Sequence, residues 1–316
     1  MNYSQLIRDA WTGTWRYRYL WVLGLFAGGA VGVSGGQSRW EMDRDTVGRL
    51  SPQGEEFATS ATDWLAANWV PIAVGAGIVG LVLLALSFIA QGGMAKATAD
   101  IATGQRSSLG QAWRAGLHFG WRYVGLGLAL LAIVLLVVAA VGVLLAIMMA
   151  TGILAAGATS GNGAPAAIVV VLLLILIPLV LAGIVGTVMF SIVAAYAQRA
   201  VAIEDEGPVA ALGDGWRLFR RNMGASVLTW LLNLVLAIGV GIAASVAIAV
   251  IAAILGGIGF ALWSALGAHV ATIAYAAVAG AAFVALALTA VAIANTFFWH
   301  YWTLAYLRLR GQAHAA

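Results

Sequence analysis

The chain has no cysteine and a single lysine, Lys96, in 316 residues. The first absence excludes disulfides, thiolate zinc and iron–sulfur sites, and cysteine nucleophiles together. Charge is scarce as well. Asp, Glu, Lys and Arg make up 9% of the residues, against roughly 25% in an ordinary soluble domain. A soluble fold of this length needs a charged surface, and long stretches here have none, so lipid must be their solvent. The net charge of +4 and the pI near 9.7 accompany no dense basic block, which removes the usual footprint of a nucleic-acid binder.

Chemistry-bearing patterns are also missing. The apolar runs contain no Asp, Glu, Lys or Arg, whereas proton relays and ion pumps place ionisable groups at membrane depth. His118, His269, His300 and His314 show no paired-ligand spacing, so no metal is expected. The GxSxG spacing at Gly32 to Gly36 falls at the end of an apolar stretch rather than on a strand-to-helix elbow, and no GxxxxGK loop occurs, so serine hydrolases and nucleotide-driven machines lack their minimum parts. The expectation is a protein that is not an enzyme and takes no cofactor.

What is present is hydrophobicity, 63% of the residues with a mean hydropathy of +0.97. Six apolar stretches stand out at about 19–35, 68–91, 123–156, 166–197, 225–256 and 269–300. All but the first reach the spanning length of about 18 residues. They predict an all-α membrane protein with six transmembrane helices in one domain, 1–316. The first stretch places Gly24, Gly28 and Gly32 on one helix face, where small residues let another helix approach closely. Its second reading is a cleavable signal peptide, because Arg8, Arg16 and Arg18 precede it. An acidic outer loop is expected at 36–67, a tight hairpin at Thr159 to Pro165, and an interfacial turn around Trp263 between Gly256 and Gly267. Pro71 reads as a first-turn proline of the second span and Pro178 as a kink in the fourth. Ser87, Thr187, Ser191, Asn233, Thr289 and Asn295 read as interhelical glue.

Sidedness follows from the basic residues. The connections 1–18, 92–122 and 198–224, with the tail, carry thirteen Lys and Arg, and the opposite set carries three. Short loops rich in Lys and Arg stay in the cytoplasm, so a multi-pass protein of the bacterial inner membrane with both termini cytoplasmic is expected.

The two long inner connections match without gaps at an offset of 103. Gly104 meets Gly207, Leu109 meets Leu212, Gly110 meets Gly213, Trp113 meets Trp216, Arg114 meets Arg217, and Lys96 meets Arg199. At offset 102, Ala10-Trp11 matches Ala112-Trp113. The unit is an inner amphipathic helix followed by two spans, in three parallel copies at approximately 1–91, 92–197 and 198–311. The apolar stripes are Ile7, Trp11, Trp15; Leu109, Trp113, Leu117; and Leu212, Trp216, Phe219, Met223. Tryptophan beside arginine suits an interfacial helix near anionic lipid, which makes Trp113, Arg114, Arg122, Trp216, Arg217, Arg220 and Arg221 the candidate contacts for lipid or a partner. Elbow helices that set the angle of the next span are the plainer reading. Glu204-Asp205-Glu206 before the last inner helix is expected to complement its dipole. The run Phe297 to Trp302 is expected to be an aromatic anchor at the membrane boundary.

The stretch RAVAIEDEGPVAALGDGWRLFRRNMG at 199–224 and the tail WTLAYLRLRG at 302–311 resemble bacterial multi-pass proteins related to the membrane domain of glycerophosphoryl diester phosphodiesterases. The resemblance implies a membrane module. In the related enzymes the hydrolytic site sits in a separate soluble barrel, for which this chain has no room, so no catalytic residue is carried over. The functional expectation is a non-enzymatic integral membrane module that organises anionic lipid, or docks a membrane or cytoplasmic protein, through its basic face. The alternative is a passive transporter or channel for a small solute, whose signature would be a polar cavity along the repeat axis. A membrane enzyme ranks third, because its convergent titratable groups are lacking.

Overall fold

The computed structural model describes residues 2–28, 52–158, 164–267 and 269–311. Among them the chain is helical throughout: α1 (Tyr3–Arg16), α2 (Leu20–Ala27), α3 (Pro52–Ala102), α4 (Leu109–Ala158), α5 (Ala164–Ile203), α6 (Pro208–Arg221), α7 (Met223–Leu266) and α8 (Val270–Leu309). Helices α3, α4, α5, α7 and α8 are long and apolar enough to cross a membrane. In the first apolar stretch, α2 accounts for eight residues, and residues 29–35, Gly32 among them, with loop residues 36–51, lie outside the described residues. So does the Thr159–Gly163 part of the expected hairpin.

Several expectations are corrected. Residues 52–67 are the start of α3 rather than outer loop, which puts Pro71 in a helix interior rather than in a first turn. Residues 109–122 continue into the third span without a break. Elbows exist at Tyr17–Tyr19 between α1 and α2 and at Asn222 between α6 and α7. Gly256, Gly257 and Gly259 remain helical because nothing interrupts the α7 ladder until Gly267, whose φ of +61° suits a residue without Cβ. His269 then caps α8, its Nδ1 accepting from Ala271 N–H at 3.3 Å.

Burial is concentrated at one end, the end that carries the basic residues. Buried positions begin at Ser87 in α3, stop at Leu126 in α4, begin again at Ile192 in α5, and fall mostly beyond Ala292 in α8; α7 buries Ser226 and Thr229 alone. The far halves of the long helices are exposed aliphatic surface, as expected of segments whose solvent is lipid. At the basic end, Tyr123, Tyr196, Tyr301, Tyr306, Phe219 and Trp299 pack with Leu6, Leu20, Leu23 and Met94. The Phe297 to Trp302 run is therefore interior: Phe297, Trp299, His300, Tyr301 and Trp302 are buried. Their large rings fill space between α8, α1 and α5 that aliphatic side chains leave open.

The short helices pack by their small faces. Leu6, Ala10 and Thr14 of α1, Ala112 and Gly116 of α4, and Ala211 and Gly215 of α6 are buried. The predicted tryptophan stripes lie one residue further round and stay partly out, with Trp11 and Trp216 exposed and Trp113 half-buried. The physical reason is close approach. A Cβ at Gly13 would stand 2.9 Å from the His300 ring, one at Gly116 would collide with the Ile89 carbonyl, and one at Gly215 would stand 2.8 Å from the Val193 carbonyl. Helix α1 thus rests on α8, the start of α4 on α3, and α6 on α5.

Candidate functional site

Gly24 and Gly28 place α2 against α8. A Cβ on Gly24 would lie 2.5 Å from the Ala292 carbonyl, and one on Gly28 would collide with the Asn295 amide. That closeness lets Asn295 Nδ2 donate to the Gly24 carbonyl at 2.9 Å. Asn295 is the member of the predicted polar set shown bridging two helices. Thr187, Ser191 and Thr289 instead donate to carbonyls three or four residues back on their own helices, the usual local competitor for hydroxyls in helices.

The acids before α6 do not cap it. Gly207 is the N-cap and the first turn carries no acid. Glu204 turns instead to Arg310, Oε1 to Nη1 at 3.3 Å, and Asp205, held at φ +58°, pairs with Arg122 of α4. Arg122 also donates from Nη1 to the Asp205 carbonyl at 2.7 Å. Of the predicted contact residues, Arg122 is thus committed to an internal strap, Trp113 packs on the core, and Arg114 is exposed on α4 away from the others.

Trp216, Arg217, Arg220 and Arg221 are brought together on the outer faces of α6. Arg217 and Arg221 border a recess of about 400 Å³ between α6 and the end of α8, completed by Asp214, Leu218, Asn222, Leu309 and Arg310. Leu218 and Leu309 give it an apolar wall, and three guanidiniums stand against one carboxylate. Asp214 is 11% exposed and has both oxygens engaged, Oδ1 with Arg217 and Oδ2 with Arg310 Nη2 at 2.6 Å. Arg310 is braced from behind by Glu204 and by the Tyr306 ring, 5.2 Å from its guanidinium carbon. Arg217 is 73% exposed, so its guanidinium reaches outward from the rim. Such a site presents several N–H donors to an oxyanion beside an apolar surface, the combination found where a charged headgroup meets its acyl chains.

Arg310, Asp214 and Leu309 were not picked out from sequence as site residues. Two signals pointed to them. Arg310 lies in the tail motif at 302–311, and Asp214 occupies the position one before Gly215 that Asp9 occupies before Ala10 in the first copy. Asp9 pairs with Arg308, so both acids join a short helix to the last turn of α8.

A buried cation lies deeper. Arg199 is 3% exposed, stacks on Trp299 with its guanidinium carbon 4.3 Å from the ring centroid, and donates from Nη1 to Ala195 O at 2.8 Å and Gln198 Oε1 at 3.0 Å. No carboxylate pairs with it among the described residues. Lys96, which meets it at the sequence offset of 103, has Asp100 at 2.9 Å, where the stretch after Arg199 has Ile203.

The model of a family of unknown function (DUF7544) matches residues 11–313. No curated protein and no solved structure matches the chain.

Proposed function

We propose, for a chain that belongs to this family of unknown function, the role of a non-enzymatic membrane module that binds anionic lipid at its basic end, with that end in the cytoplasm. It crosses the bacterial inner membrane six times, the α2 stretch being the first crossing, and is built from three parallel units. The head-to-tail packing of α1 on α8, α4 on α3 and α6 on α5 supports that organisation, because each short helix rests on the last span of the preceding unit and the first closes onto the third. The matching roles of Asp9 and Asp214 support it too.

The recess between α6 and α8 carries the functional reading. It lies where Trp11, Trp121 and Trp216 are exposed around the basic end, the side-chain belt that sits at headgroup depth. A passive route for a solute would need a polar path where the three units meet. At the basic end that place is filled by Tyr123, Tyr196, Tyr301 and Tyr306, which supports the binding module over the channel. The resemblance of the inner motif to the membrane domain of glycerophosphoryl diester phosphodiesterases fits a module of this kind and lends it no catalytic residue.

The test is native mass spectrometry of the full chain released gently from bacterial membranes, compared with the variant Arg217→Gln/Arg221→Gln. The expected result is phosphatidylglycerol or cardiolipin retained by the wild type and lost in the variant, with retention falling as salt rises. Equal retention by the two proteins at every salt concentration would sink the proposal.

A further inference from the structure

The recess already contains an anion of its own. The Asp214 carboxylate holds Arg217 through one oxygen and Arg310 through the other, leaving Arg221 as the guanidinium of the recess with no ion pair among the described residues. An incoming oxyanion meets Arg221 first, and then must share or take the donors that Asp214 occupies. Taking them is feasible on one side because Arg217 is 73% exposed and its pairing with Asp214 is local, three residues along the same helix. It is feasible on the other because Arg310 retains Glu204, at 3.3 Å, when Asp214 lets go.

We infer that the Asp214 carboxylate is the resident stand-in for a lipid phosphate, and that a phosphate-bearing headgroup binds by exchanging with it at Arg217 and Arg310 while Arg221 makes the first contact. This rests on the lipid reading above and adds to it a mode and a preference. A phosphate monoester, with three terminal oxygens and close to two charges, can bridge both guanidiniums and reach Arg221 at once. A phosphodiester has two free oxygens and one charge, and neutralises less of the three guanidiniums. The order of affinity is therefore phosphatidic acid above phosphatidylglycerol, with phosphatidylcholine far below because its ammonium is repelled by the arginines. Exchange also has a structural consequence. The Asp214–Arg310 pair joins α6 to the end of α8, so an occupied recess removes that tie while Glu204–Arg310 still joins α8 to the segment leading into α6.

The experiment titrates the full chain, purified in detergent, with dioctanoyl phosphatidic acid, dioctanoyl phosphatidylglycerol, dioctanoyl phosphatidylcholine and inorganic phosphate, comparing wild type with Asp214→Asn and Arg217→Gln/Arg221→Gln. Asp214→Asn removes the competing charge and leaves an amide that can itself donate. It should tighten phosphatidic acid binding by roughly fivefold, the order expected for a partly screened ion pair, and leave phosphatidylcholine unchanged. Asp214→Ser serves the same purpose if the asparagine variant melts far below wild type. Arginine variants that lose binding while Asp214→Asn and Asp214→Ser leave it unchanged or weaker would overturn the exchange and leave the lipid reading standing. Wild type that binds no anionic lipid would overturn both. Inorganic phosphate binding as tightly as phosphatidic acid would show that the oxyanion needs no lipid, and would overturn the headgroup as its source.

Discussion

Replacing Gly215 by leucine tests the packing on which the site depends. The Cβ of any residue there would stand 2.8 Å from the Val193 carbonyl and 3.1 Å from the Ala197 amide nitrogen. Both are backbone atoms of α5, so no rotamer change can relieve the contact and α6 itself must move. Overpacking of this kind costs about 1–3 kcal/mol. At about 2–4 °C per kcal/mol for a chain of this size class, the thermal midpoint should fall by roughly 2–12 °C. The control is Gly213, two residues away on the same helix. It has open space where a Cβ would go and no positive φ, so Gly213→Ala should gain up to about 1 kcal/mol from helix propensity alone. Thermal unfolding of the full chain in detergent, followed by tryptophan fluorescence, separates the two. Equal shifts for Gly215→Leu and Gly213→Ala, or a Gly215→Leu variant as stable as wild type, would refute the claim that α6 is held on α5 by its small face. A displaced α6 also carries Arg217 and Arg221 away from Arg310, so Gly215→Leu should weaken anionic-lipid retention although it alters no charged residue.

Other consequences are independent of the recess. Asn295→Ala removes the bond to the Gly24 carbonyl and should cost about 0.5–1.5 kcal/mol; in a double-mutant cycle with Gly28→Ala, which collides with the Asn295 amide, the second change should become cheaper, and strict additivity would contradict the described contact. Arg122→Gln should cost less than about 1 kcal/mol, because its Asp205 partner is 64% exposed and surface pairs are weak; a loss of several kcal/mol on urea unfolding would show that the strap does more than tie the 204–206 segment to α4. Arg199→Met should melt at or above wild type, since replacing a buried ion by an apolar side chain of similar length is often neutral or stabilising by up to about 4 kcal/mol. A steep fall for that variant would show that an anion outside the described residues balances the guanidinium.

The helices were legible where the pattern was long and uniform. Five of the six apolar stretches coincide with long helices, because a run without charge has one stable state in lipid, with its backbone bonds satisfied internally. Boundaries were less legible. Glycine triplets such as Gly256-Gly257-Ile258-Gly259 suggest a turn by composition, yet in an apolar solvent breaking the ladder costs more than the helix propensity glycine gives up, and α7 continues through them. Pro71 lies inside α3 although it has no N–H to give the ladder, and the helix runs on through it. The aromatic run at 297–302 misled for a different reason. Composition alone does not distinguish rings that face headgroups from rings that fill a core, and here tight approach at Gly13 turns His300 inward. Within the site, Arg217 and Arg221 were visible from their helical spacing. Asp214 and Arg310 meet across 96 residues, a separation that a repeat at offset 103 relates only indirectly.

The position of the basic residues has a cause within the fold as well as in the membrane. Helices α3, α5 and α8 all end at the buried end, at Ala102, Ile203 and Leu309, so three helix C-termini converge there. Each C-terminus is equivalent to roughly half a negative charge, and Lys96, Arg199, Arg308 and Arg310 all lie within the last two turns of these helices or just beyond. This field accounts for Arg199 remaining buried without a carboxylate, with an Ala195 carbonyl and the Trp299 face as its near partners. It also explains why an internal carboxylate is needed in the recess. Three helix C-termini offset only part of the charge of these four cations, and Arg217 and Arg221 of α6 add to the excess. Asp214 offsets one charge of that excess in the absence of lipid, and a headgroup phosphate at Arg217 and Arg310 would offset more of it.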